Sequence, residues 1–143
     1  MENNLADLKS VYSFLLKPLR ISDEIWRKEM RREALKACLL PSGITYDQDK
    51  VQTSASDRMS EVMAKVADLN LQIEVLQSER GLVILEISQA IDSLEDEREK
   101  TVLDAYYIGQ LCMADIAEHL GYSVSHAYYL RRAGAEKLIG KII

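Results

Sequence analysis

From Met59 to Leu94 the chain keeps one apolar rhythm: Met59, Val62, Val66, Leu69, Ile73, Leu76, Arg80, Val83, Ile87, Ala90 and Leu94 follow at spacings of three and four. Residues so spaced share one face of an α-helix, whereas a half-buried strand needs alternate residues. Five heptads at about 1.5 Å per residue span roughly 50 Å, more than one small core can cover. The stripe therefore calls for two kinds of burial. Its first half is expected against N-terminal helices as an antiparallel hairpin, and its second half, with Val83, Ile87 and Leu94, as a dimer seam against a second copy. The helix is expected to start near Asp57, and Arg80 followed by Gly81 is its weakest place.

Only two prolines and six glycines interrupt 143 residues, so the expected fold class is all-α. Leu5, Leu8, Tyr12, Leu15 and Leu19 predict an amphipathic first helix that Pro18 should end or kink. Ser22 then reads as the cap of a second helix with Asp23 and Glu24 in its first turn. Trp26, Met30, Ala34 and Cys38 would be its buried stripe, and Pro41-Ser42-Gly43 its end. Arg27, Lys28, Arg31, Arg32 and Lys36 make its other side basic, and a solvated or acid-paired face explains that cluster better than a phosphate contact. The chain thus divides into residues 1–92, a helical hairpin or coiled-coil region for dimerisation or partner binding, and residues 93–143, a smaller C-terminal module.

In that module Ser93-Leu94-Glu95-Asp96 offers a helix start with early acids, and Val102, Leu103, Tyr106 and Tyr107 give an apolar stripe before Gly109. A helix from about Cys112 to Leu120 puts Ile116, Ala117 and Leu120 on one face. Gly121 can supply a left-handed turn, and Ser123 can cap a second helix. Ala127, Leu130, Gly134 and Leu138 face inward on that helix, with Val124, Ser125, Tyr128, Tyr129 and Arg132 on the other side. A helix, a tight glycine joint and a helix make the helix-turn-helix signature.

The residues Arg98, Val102-Leu103, Tyr107-Ile108-Gly109, Asp115-Ile116-Ala117, Leu120-Gly121-Tyr122-Ser123 and Lys137-Leu138 resemble region 4 of sigma-70-type factors. Residues 41–58 resemble small phage and prophage regulators of Gram-positive bacteria associated with late-gene transcription. The resemblance implies a regulator that binds double-stranded promoter DNA and assists RNA polymerase. Its DNA-facing residues would be Ser123, Val124, Ser125, His126, Tyr128, Tyr129, Arg131 and Arg132, with both arginines as phosphate anchors. Val124, Tyr128 and Tyr129 stand where region-4 helices usually carry charged or amide side chains, which implies weak binding by a solitary module. Two other readings remain open at this point. One is a protein-interaction module that grips RNA polymerase without sequence-specific DNA contact, and the weaker one is a phage DNA-packaging subunit.

The net charge of −5 opposes DNA binding only if it is averaged. From Gly121 onward Arg131, Arg132, Lys137 and Lys141 face Glu136 alone, while residues 47–100 hold thirteen acids against six bases. A phosphate-facing surface needs local positive charge. His119 and His126 have no cysteine or carboxylate at ligand spacing, so no metal site is expected. With no Gly-rich phosphate loop and no nucleophile set beside a histidine, neither an enzyme nor a cofactor is expected. Cys38 and Cys112 form no C-x-x-C pair and read as reduced, mostly buried residues. No run reaches the roughly 18 apolar residues of a membrane span, and Met1-Glu2-Asn3-Asn4 lacks signal-peptide form, so a cytoplasmic chain is expected, and the resemblance implies the cytoplasm of a bacterial host cell.

Overall fold

The computed structural model describes residues 2–39 and 48–142, with side chains described from 5 to 39 and from 56 to 142. The expected stop at Pro41-Ser42-Gly43 and the first part of the segment 41–58 lie outside the described residues. The fold is all-α, with no strand among the described residues. Its helices are α1 (Glu2–Leu15), α2 (Lys17–Leu39), α3 (Gln48–Asp92), α4 (Glu97–Leu103), α5 (Met113–Leu120) and α6 (Val124–Lys137), and a π-helical turn (Asp104–Ile108) extends α4. None of the described helices is long and apolar enough to cross a membrane.

Three helix starts, those of α2, α3 and α4, differ from expectation. Pro18 marks the end of the first helix as expected: α1 closes at Leu15, and Pro18 sits in the first turn of α2, where its missing N–H has no helical partner to lose. Helical bonds carry across the junction: Leu16 N–H donates to the Tyr12 carbonyl at 2.9 Å and Arg20 N–H to the Leu16 carbonyl at 3.1 Å. Ser22 is consequently inside α2 and caps nothing; its hydroxyl accepts a bond from Gln110 Nε2 at 2.9 Å. The long helix begins at Gln48, before Asp57, and runs through Gly81 unbroken. At its far end Asp96, not Ser93, caps α4, accepting from the Arg98 N–H at 2.9 Å and the Glu99 N–H at 3.4 Å.

The chain forms two compact units, Met1–Ser22 with Glu79–Ile143, and Asp23–Ser78. In the first, Val11 and Leu15 of α1, Ile87 and Ile91 of α3, Leu94, Leu103, Tyr107, and Ala135 and Leu138 beside them close one core. Fully burying a Leu or Ile contributes about 1.5–3 kcal/mol, so this cluster binds α1 and the end of α3 to the C-terminal module. Packing therefore does not divide at residue 93, where the sequence placed the boundary. The expected dimer seam is also inside the chain: Ile87 is fully buried, Leu94 nearly so, and Val83 packs half-buried on the same cluster. Ile87 and Leu94 are thus covered within the chain, in a core to which α1 contributes Val11 and Leu15, while Val83 stays half-buried at its edge.

In the second unit α2 and α3 run antiparallel, with Lys28 Nζ donating to Gln72 Oε1 at 2.7 Å and Arg32 to Asn70 Oδ1 at 3.0 Å. The α3 stripe holds here: Leu69, Ile73 and Leu76 are buried. On α2 the expectation reverses. Ile25 is its buried residue, whereas Trp26, Met30, Ala34 and Cys38 are exposed. The reason is that the lysine and arginine stems lie along α3 and send their charged ends to its amides, which turns the apolar stripe outward. Cys112 is exposed as well, so neither cysteine is the buried residue expected.

Candidate nucleic-acid interface

The joint between α5 and α6 is built as its residues require. Gly121 adopts φ 73°, ψ 28°, the left-handed conformation that glycine enters without a Cβ penalty. Tyr122 N–H then closes on the Ala117 carbonyl at 2.9 Å and Gly121 N–H on the Glu118 carbonyl at 3.2 Å, satisfying the last turn of α5. Ser123 is extended, and its hydroxyl accepts from the His126 N–H at 3.1 Å, which opens α6. Ile116, Ala117, Met113, Val102, Ala127 and Leu130 form the core beneath the joint.

Two further contacts fix α6 on α4. A Cβ at Gly134 would lie 2.9 Å from Leu103 Cδ1 and 3.4 Å from Glu99 Cβ, so the absent side chain is what permits the approach. One turn on, Lys137 Nζ donates to both carboxylate oxygens of Glu99 at 2.7 and 2.9 Å, and Glu99 is only 4% exposed. That bond raises the Lys137 pKa, which keeps the charge that a buried carboxylate needs. No local pattern signals this pair, whose members are thirty-eight residues apart.

The outward face of α6 carries Val124, Ser125, Tyr128, Tyr129 and Arg132, all exposed. The other three candidates each make contacts within the module. Ser123 accepts the cap bond with its hydroxyl oxygen and is exposed. His126 is half-buried, edge-on to the Tyr122 ring at 4.8 Å and stacked on Tyr129 at 6.0 Å. The Arg131 guanidinium lies between the Tyr106 and Tyr128 rings, 4.6 and 4.9 Å from their centroids, with Nε buried and unpartnered. Arg131 is therefore a brace that holds Tyr128 through cation–π attraction and not the free anchor expected. Arg132 is free of such a clamp but bonds Glu136 at 3.1 Å along the helix. Such exposed pairs are worth about 0.3–0.5 kcal/mol, so Arg132 is easily released to a phosphate.

One cation was missed as a contact. Arg98 at the start of α4 is raised in pKa first by hydrogen bonding to Tyr122, which follows Gly121 in the joint, and then by Asp96. It brings a permanent charge to the joint from a different helix, and only folding reveals that proximity. Among the described residues no three of His, Cys, Asp or Glu are grouped to hold a metal ion.

A family model described as a protein of unknown function (DUF1492) matches residues 39–139, and the chain belongs to that family. No curated protein and no solved structure matches it.

Proposed function

We propose that this DUF1492 protein is a phage-type transcription regulator whose C-terminal helix-turn-helix docks on promoter DNA and assists RNA polymerase. The observation that carries the reading is the α5–α6 joint. A left-handed glycine closes one helix, a serine caps the next, and the second helix turns Val124, Ser125, Tyr128, Tyr129 and Arg132 outward from a closed core. In helix-turn-helix docking the second helix enters the major groove and its N-terminal residues meet base edges. Ser125 supplies a hydroxyl, while Val124, Tyr128 and Tyr129 supply apolar surface that suits thymine methyl groups. Arg132 and Arg98 then meet phosphate, which positions the helix without reading sequence. Resemblance to sigma region 4 adds the polymerase as a second partner.

A second reading has its own support. Arg131 is held between tyrosine rings and the first turns of α6 carry no lysine or arginine, so the same face could grip RNA polymerase instead of DNA. A pull-down from host lysate with and without nuclease separates the two. Loss of polymerase after nuclease supports DNA docking, and retention supports the protein-gripping module.

A further inference from the structure

The first two turns of α6 carry no charged or amide side chain: residues 124–130 are Val, Ser, His, Ala, Tyr, Tyr and Leu. In the major groove Arg or Lys reads guanine, Asn or Gln reads adenine, and Asp or Glu accepts from the cytosine amine. None of these types stands where a recognition helix meets base edges. The other feature that base pairs display there is the methyl group on pyrimidine C5, which is read by apolar contact. Val124, Tyr128 and Tyr129 are 44%, 47% and 65% exposed, so each keeps surface free for such a contact. Val124 lies one turn before Tyr128 on the same face.

Both tyrosine rings are held from behind. The Arg131 guanidinium sits between the Tyr106 and Tyr128 rings, and its buried Nε has no partner, so this cation is drawn into the module. Tyr129 stacks on His126 with the ring planes 16° apart, and His126 meets the Tyr122 ring edge-on at 84°. Tyr106 belongs to the π-helical turn and Tyr122 follows Gly121, so each outward ring is backed from a segment other than α6. A ring already fixed in place loses less side-chain freedom when a base edge docks on it.

Resting on the DNA-docking reading, we infer that α6 reads the C5 methyl group of pyrimidines through Val124, Tyr128 and Tyr129, and that Arg131 is a positioning residue that fixes Tyr128 for this contact. The ligand chemistry is a methyl group in the major groove. Thymine and 5-methylcytosine both supply it.

Four duplexes of one length separate the two sources: A·T pairs made with thymidine or with deoxyuridine, and G·C pairs made with cytosine or with 5-methylcytosine. Binding of the full chain is measured on each across a salt series. Burying one methyl group strengthens binding about fourfold, so a methylated duplex should bind at least that much more tightly than its unmethylated counterpart. A gain in one pair alone identifies that pair's base as the source, and a gain in both shows that either serves. Arg131→Gln should bring the gain toward one and leave the salt slope unchanged, whereas Arg131→Lys, which keeps a cation between the rings, should retain most of it. Circular dichroism shows whether each variant keeps its helices. Tyr128→Ala, at an exposed position, should lose the same gain and carries the test if Arg131→Gln does not fold. An Arg131→Gln chain that binds all four duplexes more weakly by one factor, or with a slope shallower by about one, overturns the positioning role. Salt-dependent binding that ignores the methyl group in both pairs overturns the inference and leaves DNA docking standing. Absence of binding to every duplex removes the docking reading itself, and this inference with it.

Discussion

Replacing Gly121 by alanine isolates the joint that the functional reading depends on. At φ 73° an L-residue pays for its Cβ against the backbone, and the cost of the left-handed region is about 1–2 kcal/mol. Nothing lies within 4 Å of the position that the new methyl group would take, so no steric repacking adds to that figure. The whole effect is therefore conformational, and it should depend on the backbone preference of the substitute more than on its size. Gly121→Ala should lower stability by about 1–2 kcal/mol, and Gly121→Asn by less, since asparagine tolerates this conformation. Gly121→Val should exceed alanine because its branched Cβ suits positive φ least. Urea unfolding monitored by circular dichroism gives the three values, and the midpoint should move without a change in slope. If alanine costs nothing, or if asparagine costs as much as valine, the joint does not use a left-handed residue and the turn has been misread.

Other perturbations probe the same module. Ala117→Leu should cost about 1–3 kcal/mol, because Ala117 is 2% exposed within the core under the joint and has no room for three more carbons; thermal stability equal to wild type would refute the close crossing. Burial pushes the Tyr107 hydroxyl above its ordinary pKa of 10.0. Above about pH 10 the unfolded chain then releases a proton that the folded chain keeps, so stability falls as pH rises, and Tyr107→Phe should flatten that fall in urea titrations from pH 8 to 11. Arg132→Ala should weaken binding to all duplexes alike and reduce the salt slope by about one, whereas Glu136→Gln, which frees Arg132, should strengthen it; opposite signs would remove Arg132 from the phosphate contact. Tyr129→Ala should lower preference for a promoter over scrambled duplex, and deoxyuridine in place of thymidine should do the same to the wild type, because both remove the methyl contact.

Local chemistry explains what could be read from the residues. Gly121, Ser123 and the inward set Ala127, Leu130, Gly134 and Leu138 lie within a few turns of one another, and their conformational preferences point one way. Burial of the α3 stripe was legible for the same reason, since period alone fixes which residues share a face. What the period cannot fix is who covers that face. Ile87 and Leu94 looked like a seam between copies, yet α1, from the other end of the chain, covers them. Trp26 and Met30 looked buried because they are apolar, yet Lys28 and Arg32 took the inner side by laying their stems on α3. The clamp on Arg131 was half visible: Tyr128 is its neighbour one turn back, whereas Tyr106 arrives from the π-helical turn. Likewise the buried Glu99–Lys137 pair depends on a helix approach that only the folded backbone defines.

Binding of the full chain to duplex DNA across a salt series tests the central claim most directly. A groove-docked α6 with phosphate contacts from Arg132 and Arg98 predicts that the logarithm of affinity falls linearly with the logarithm of salt concentration, because each contact releases counterions. It further predicts that Arg132→Ala makes the slope shallower by about one while Val124→Ala leaves the slope unchanged. Binding that is undetectable at low salt, or that does not respond to salt, would contradict DNA docking and leave α6 as a surface for protein.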